Sequence, residues 1–222
     1  MPIFYKHKLI FHHVPKTAGK AITQWLGPAD EHIGHLPIVQ LEEIKKEFEK
    51  QHLINVSWDN YVTFTILREP LDRIQSSFEH IKRSKATNDQ NSFLRNNFLK
   101  EFTGDFNDFL LSPNLFNIVT SEHAMLLRPM TWMFFEGDAK KPKEAICHTP
   151  DIVLDFNNLE LDCSLMTEKL GLKLPKFVAK KTIYENNIVS SKSYKKFRKL
   201  WAIDFDIYDF FMNKSHIDKF GQ

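Results

Sequence analysis

Residues 9–25, LIFHHVPKTAGKAITQW, constrain the fold more than any other stretch. The apolar run at 9–14 reads as a buried strand. Pro15 ends it, because proline has no N–H for the next ladder bond. Lys16, Thr17, Ala18, Gly19 and Lys20 form a tight, small-residue turn. The amphipathic run at 21–26 then reads as a helix. A strand that enters a helix through so short a loop aims unpaired backbone N–H groups at one point, with the positive end of the helix dipole behind them. Two lysines in the loop favour an anion of the phosphate or sulfate kind.

The loop departs from the nucleotide-kinase pattern G-x-x-x-x-G-K-[ST]. It has no leading glycine, and Gly19-Lys20 is followed by Ala21, which has no hydroxyl to offer a magnesium ion. VPKTAGKAI instead resembles the 5′-phosphosulfate loop of sulfotransferases that use 3′-phosphoadenosine 5′-phosphosulfate (PAPS). The nearest pattern is the P-K-T-[AG]-[GS]-[ST]-[ST] loop of the Golgi carbohydrate sulfotransferases, the heparan, chondroitin and uronyl enzymes, and of their bacterial or viral relatives. Lys20 stands where that family carries Ser or Thr. The resemblance implies that Lys16, Thr17, Ala18, Gly19, Lys20 and Ala21 bind the co-substrate. It also makes Lys16 the cation that meets charge developing on the bridging oxygen.

The rest of the chain alternates strands and helices. Residues 61–67, YVTFTIL, read as a second buried strand. Arg68-Glu69-Pro70 ends it, and a helix over 71–82 places Ile74, Phe78 and Ile81 on one face. A polar helix is expected over 40–51 and a surface loop over 84–91. Residues 92–128 read as helical, broken at 103–104 and 112–113. Strands are expected over 131–135, TWMFF, and 151–156, DIVLDF. A helix over 159–170 is closed by Gly171. Two more helices follow, a basic one over 191–200 and one over 203–212. This alternation predicts an α/β, three-layer, P-loop-like fold with a central, mainly parallel sheet flanked by helices. Ligands bind such sheets at the carboxyl ends of the strands; Pro15 and Arg68 both follow such ends.

Composition narrows the function classes. With 222 residues and no linker, the chain is expected to form one domain over 1–222. A net charge of +2 is too small to argue for nucleic acid as a partner. Twenty Phe against seven Gly point to a tightly packed, helix-rich interior. Cys147 and Cys163 make neither a disulfide framework nor a metal site. MPIFYKHK lacks the apolar core of a leader peptide, and no run approaches the roughly 18 apolar residues of a membrane span. The expectation is therefore a cytoplasmic protein with no membrane span.

The second anion element is LREPLDRIQSSF, residues 67–78. A kinase would carry an aspartate for Mg²⁺ at this strand end; here it is Arg68. The stretch is similar to the family's 3′-phosphate element, R-[DE]-P-x-x-R-x-x-S. The resemblance implies that Arg68 and Ser76 hold the 3′-phosphate, the guanidinium as a fork of donors and the serine as a hydroxyl. Arg73, one turn from Ser76, either assists or pairs with a carboxylate.

Sulfuryl transfer to a hydroxyl needs a general base, and histidine suits neutral pH. Gly34-His35 resembles the G-H element that carries the base in the family's uronyl 2-O-sulfotransferases, which implies His35. Those enzymes have a second histidine two places earlier; here that place is Ile33, and His32 lies one further back. Glu122 and His123 are the fallback bases. His12 and His13 flank the loop and read first as structural strand residues. Trp132 reads as core before it reads as an adenine platform. The basic run Lys192, Lys195, Lys196, Arg198 and Lys199 reads as a solvated face or as a guide for an anionic acceptor, and Ser190 and Lys192 stand ahead of it. The sequence thus reads as a PAPS-dependent sulfotransferase that needs no metal and acts on a saccharide hydroxyl. Its rivals are a P-loop kinase and a non-catalytic nucleotide-binding protein on the same fold.

Overall fold

The computed structural model describes residues 1–32, 34–35, 40, 43, 45–47, 50, 60–84, 90–121, 123–136, 146–147, 150–178 and 188–213. Half of the helix expected over 40–51 and most of the loop expected over 84–91 lie outside these residues; residues 43, 45–47 and 50 are helical. The chain divides into two compact units interleaved in sequence. One comprises Met1–Leu67, Met130–Lys180 and Phe210–Gln222, the other Arg68–Pro129 and Lys181–Asp209.

The first unit is built on a five-stranded sheet. Its strands are β1 (Pro2–Phe4), β2 (Leu9–Phe11), β3 (Glu31–His32), β4 (Val62–Leu67) and β7 (Ile152–Asp155), in the order β3-β1-β2-β4-β7. β2, β4 and β7 run parallel, with Phe11 opposite Phe64 and Phe64 opposite Ile152. β1 is antiparallel to both its neighbours. The centre is therefore parallel, as expected. β1 and β3 were not expected, because two or three residues are too few to show a period of two.

Alternation along the central strands sends Leu9, Phe11, Phe64, Ile66, Ile152 and Leu154 to one face. There they meet Ile22 and Leu26 of α1 (Gly19–Leu26) and Leu159, Cys163 and Met166 of α8 (Leu159–Lys169). Ile10, His12, Thr65, Leu67 and Val153 on the other face are buried too. Strands buried on both faces read as continuous apolar runs rather than alternating ones. α8 closes as expected: Gly171 has φ 62°, its N–H donates to the Glu168 carbonyl, and the Leu172 N–H reaches back to Thr167. That pair of bonds is the Schellman pattern, which satisfies the last carbonyls of a helix.

Residues 131–135 correct an expectation. Thr131–Phe134 form a short helix, α7, and only Phe135–Glu136 are extended, as β5, paired with β6 (Ile146–Cys147). The Met133 N–H donates to the Met130 carbonyl and turns the chain. Aromatic strand propensity in so short a run is weaker than this local turn.

The second unit is helical: α2 (Pro70–Arg83), α3 (Gln90–Asn97), α4 (Leu99–Thr103), α5 (Phe106–Leu111), α6 (Leu115–Thr120), α9 (Ser191–Leu200) and most of α10 (Ala202–Met212). Ile74, Phe78 and Ile81 lie in its core, as their spacing predicts, with Phe102, Phe106 and Phe109 around them. Phe78 is 5.1 Å from Phe109 and 5.5 Å from Phe106, centroid to centroid, both tilted. α5 opens on a capping box between Asp105 and Asp108, and Ser190 caps α9 by accepting from the Ser193 N–H.

Candidate active site

The loop lies in the first unit, where β2 delivers it. The His12 N–H still donates to the Phe64 carbonyl at 2.8 Å, and the Thr65 hydroxyl donates to the His12 carbonyl at 2.7 Å. The chain is thus pinned to β4 up to the point where it turns. The Thr17 hydroxyl donates to the Val14 carbonyl at 2.7 Å and closes the turn. Lys16 and Ala18 both adopt left-handed backbone, at φ 68° and 67°. For residues with a Cβ this costs about 1–2 kcal/mol each. Left-handed residues in a turn of this kind direct backbone N–H groups into a shared concavity, an anion nest.

Among the described residues, no hydrogen bond occupies the amides of Thr17, Ala18, Gly19 or Lys20. The Ala21 amide, expected among the anion donors, is taken by the Ala18 carbonyl at 2.9 Å, which also accepts from Ile22. That sharing starts α1 at Gly19, two residues before the helix expected at 21. Thr17 offers its amide rather than its hydroxyl proton. Lys16 is half-buried and Lys20 exposed.

Histidines gather beside the loop. The His13 ring packs directly on Gly19; a methyl there would collide with its Cε1 and Nε2. The His35 ring lies 4.5 Å from that of His13, and His35 Nδ1 is 2.9 Å from the His13 carbonyl. A carbonyl only accepts, so Nδ1 carries the proton and Nε2 keeps its lone pair. Enclosure drives the His13 pKa down to about 2, with His35 the next contributor. Burial also lowers that of His35, against the opposing effect of its hydrogen bond to His13. Both rings are neutral at pH 7. His32 is exposed on β3, 6.5 Å from His35 between ring centroids. His12 is buried, its ring edge-on to Phe134 at 5.2 Å.

Arg68 and Ser76, expected from the sequence to form a second anion element, lie in the other unit. Arg68 is buried, and its Nε and Nη2 donate to the two oxygens of Asp72 at 2.7 and 2.9 Å. Asp72 itself is largely solvated and accepts this fork on the first turn of α2. Its role was legible in the i,i+4 spacing of Arg68 and Asp72. Glu69 caps the helix by accepting from the Asp72 N–H at 2.7 Å. Ser76 is buried on α2.

The structure resolves the choice for Arg73. It is buried, 3.8 Å from the buried Asp204, and donates to the carbonyls of Leu126 and Arg128 at 3.3 and 2.5 Å. Arg73 pairs with a carboxylate and ties down 126–128. His123 packs against Phe93 at 3.9 Å between centroids, the rings tilted by 44°. Glu122 and the Trp132 side chain lie outside the described residues. Lys192, Lys195, Arg198 and Lys199 are exposed on α9, and Lys196 donates to the Ser112 carbonyl.

A family model, the Sulfotransferase family, matches residues 2–211. The chain belongs to the sulfotransferase family, whose members transfer sulfuryl groups. The match spans both anion elements and runs through both units. No curated protein matches the sequence. Among the described residues, no helix is long and apolar enough to cross a membrane, and no cluster of three or more His, Cys, Asp and Glu is arranged to hold a metal ion.

Proposed function

We propose that the chain is a PAPS-dependent sulfotransferase, a single catalytic domain over 1–222, that moves the sulfuryl group of PAPS to a saccharide hydroxyl. The observation that carries this reading is the loop: four amides with no partner among the described residues, at the start of α1, on a backbone strained into a nest. The saccharide acceptor rests on the resemblance of the loop and of Gly34-His35 to the carbohydrate enzymes.

PAPS supplies an activated sulfur whose leaving group is the 5′-phosphate of 3′,5′-adenosine bisphosphate. The amides of Thr17, Ala18, Gly19 and Lys20 bind its non-bridging oxygens, and Lys16 meets the charge that grows on the bridging oxygen. Arg68, pre-aimed by Asp72, and Ser76 take the 3′-phosphate. His35 removes the acceptor proton at Nε2 as the acceptor oxygen bonds to sulfur and the S–O bond to the phosphate breaks. Its neutral state at pH 7 and its fixed Nδ1–H tautomer both suit this role. No step calls on a metal.

The test is calorimetric binding of 3′,5′-adenosine bisphosphate beside 5′-AMP and beside ATP with Mg²⁺. The bisphosphate binds best, and Arg68→Ala weakens it by about 10- to 150-fold, the worth of one charge-assisted contact. His35→Ala lowers sulfuryl transfer about 10²- to 10⁴-fold and leaves bisphosphate affinity unchanged. Preference for ATP with Mg²⁺ would return the kinase reading; bisphosphate binding without any transfer would return the non-catalytic one.

A further inference from the structure

His13 is used by no step above, yet it touches both halves of the chemistry in the first unit. Its ring is the end of an aromatic stack that starts in the sheet. Phe64 of β4 stacks on Phe11 of β2 at 4.8 Å and 10°, and Phe11 stacks on His13 at 4.9 Å and 24°. The His35 ring lies against that of His13 at 4.5 Å and 49°. The edge of the same ring abuts Gly19, the first residue of α1, so closely that only glycine fits. The carbonyl of the same residue holds Nδ1 of His35.

We propose that His13 is a positioning residue that couples the anion loop to the base. Its ring is a wedge between the start of α1 and His35, and its carbonyl selects the His35 tautomer. An anion on the Gly19 and Lys20 amides draws the first turn of α1 onto this ring, and the ring transmits the shift to His35. A charged ring would repel His35 once protonated and would attract the anion to itself; enclosure keeps His13 neutral, so it acts by shape. The groups that face His35 electrostatically are His13 at the end of β2, His32 on β3 and the amino group of Met1 beside β1.

This inference rests on His35 as the base, but its test does not need turnover. Protein labelled with ¹⁵N-histidine reports the tautomer and titration of His35, its signal assigned by its loss in His35→Gln. In the wild type, His35 is the Nδ1–H tautomer and titrates below the ordinary histidine value. In His13→Ala the backbone carbonyl stays and with it the Nδ1–H tautomer, while the titration moves up toward that value because the enclosing ring is gone. Gly19→Ala moves it the same way, because the methyl pushes the ring aside, and weakens 3′,5′-adenosine bisphosphate by about tenfold or more. The double variant is no worse than His13→Ala alone, since the methyl then has room. His13→Phe, which keeps a ring, keeps the wild-type pattern. Addition of the bisphosphate shifts the His35 signal in wild type and in His13→Phe, but not in His13→Ala. If His13→Ala does not fold, Gly19→Ala carries the same readout. A His35 signal unchanged in both His13→Ala and Gly19→Ala, or effects of the two that add in full, would overturn the coupling. Failure of the wild type to bind the bisphosphate would sink the nucleotide reading and leave the titration arm to decide the role of His13.

Discussion

Arg73→Met tests whether this arginine is a structural post or a phosphate ligand. In the second unit its side chain is 1% exposed and faces the fully buried Asp204 at 3.8 Å. It also donates to the Leu126 and Arg128 carbonyls. Methionine fills much of the same volume, so the cavity term is small. What remains is an Asp204 carboxylate buried without its cation and an Arg128 carbonyl without this donor. Leu126 keeps the Ser77 hydroxyl at 2.7 Å. Removal of one member of a buried ion pair costs about 3–5 kcal/mol. The Nε of Arg73, buried with no partner among the described residues, is lost as well, which offsets a little of that. For a chain of this size the expected fall in Tm is about 6–20 °C. Thermal and urea unfolding measure it, and bisphosphate calorimetry below the new Tm shows affinity within about twofold of wild type. Arg73→Met with Asp204→Leu should cost less than Arg73→Met alone, because no uncompensated charge remains. A loss under about 1 kcal/mol, combined with lost bisphosphate binding, would refute the structural role.

Three further outcomes follow from the same geometry. His13 and His35 titrate below the ordinary histidine value of 6.5 in the folded chain; the unfolded state therefore binds more protons below that pH, so the stability they confer is complete above it and is lost as pH falls toward the folded values. Urea unfolding at about pH 7.5 and 5.5 shows this as a fall, shallower in His13→Phe; equal slopes in the two proteins would contradict it. Gly171→Ala costs about 1–2 kcal/mol by chemical denaturation, all of it backbone, since no atom crowds a methyl there. Cys163 is fully buried, and burial with Asp162 beside it raises its thiol pKa; iodoacetamide should label it only as the protein unfolds, and rapid labelling of the folded chain would contradict its packing.

Much of this protein was legible in order along the chain. The runs at 9–14, 61–67 and 151–156 became β2, β4 and β7 because strands buried on both faces must be apolar throughout. The helices at 71–82, 159–170 and 191–200 were legible because 3.6-residue spacing and the signals of Pro70 and Gly171 are local. The loop was legible for the same reason: proline and glycine mark a tight strand-to-helix turn without reference to any distant residue. The strand expected at 131–135 failed where a five-residue run fits either conformation.

The roles of His13, Asp72 and Arg73 needed three dimensions in different degrees. Asp72 sits one helical turn from Arg68, so its spacing held the answer. Arg73 meets Asp204, 126 and 128 from across its unit, and nothing in its own heptad of neighbours marks that. His13 meets His35 across 22 residues, through a turn whose left-handed residues, Lys16 and Ala18, carry no glycine to announce them. Sequence alone determined the strand–loop–helix grammar and the charge at its turns, because backbone propensity and hydrophobic period act over a few residues. Tertiary structure alone decided which nitrogen of His35 holds the proton and which carboxylate Arg73 meets, because burial and hydrogen-bond partners are set by whatever the folded chain brings alongside.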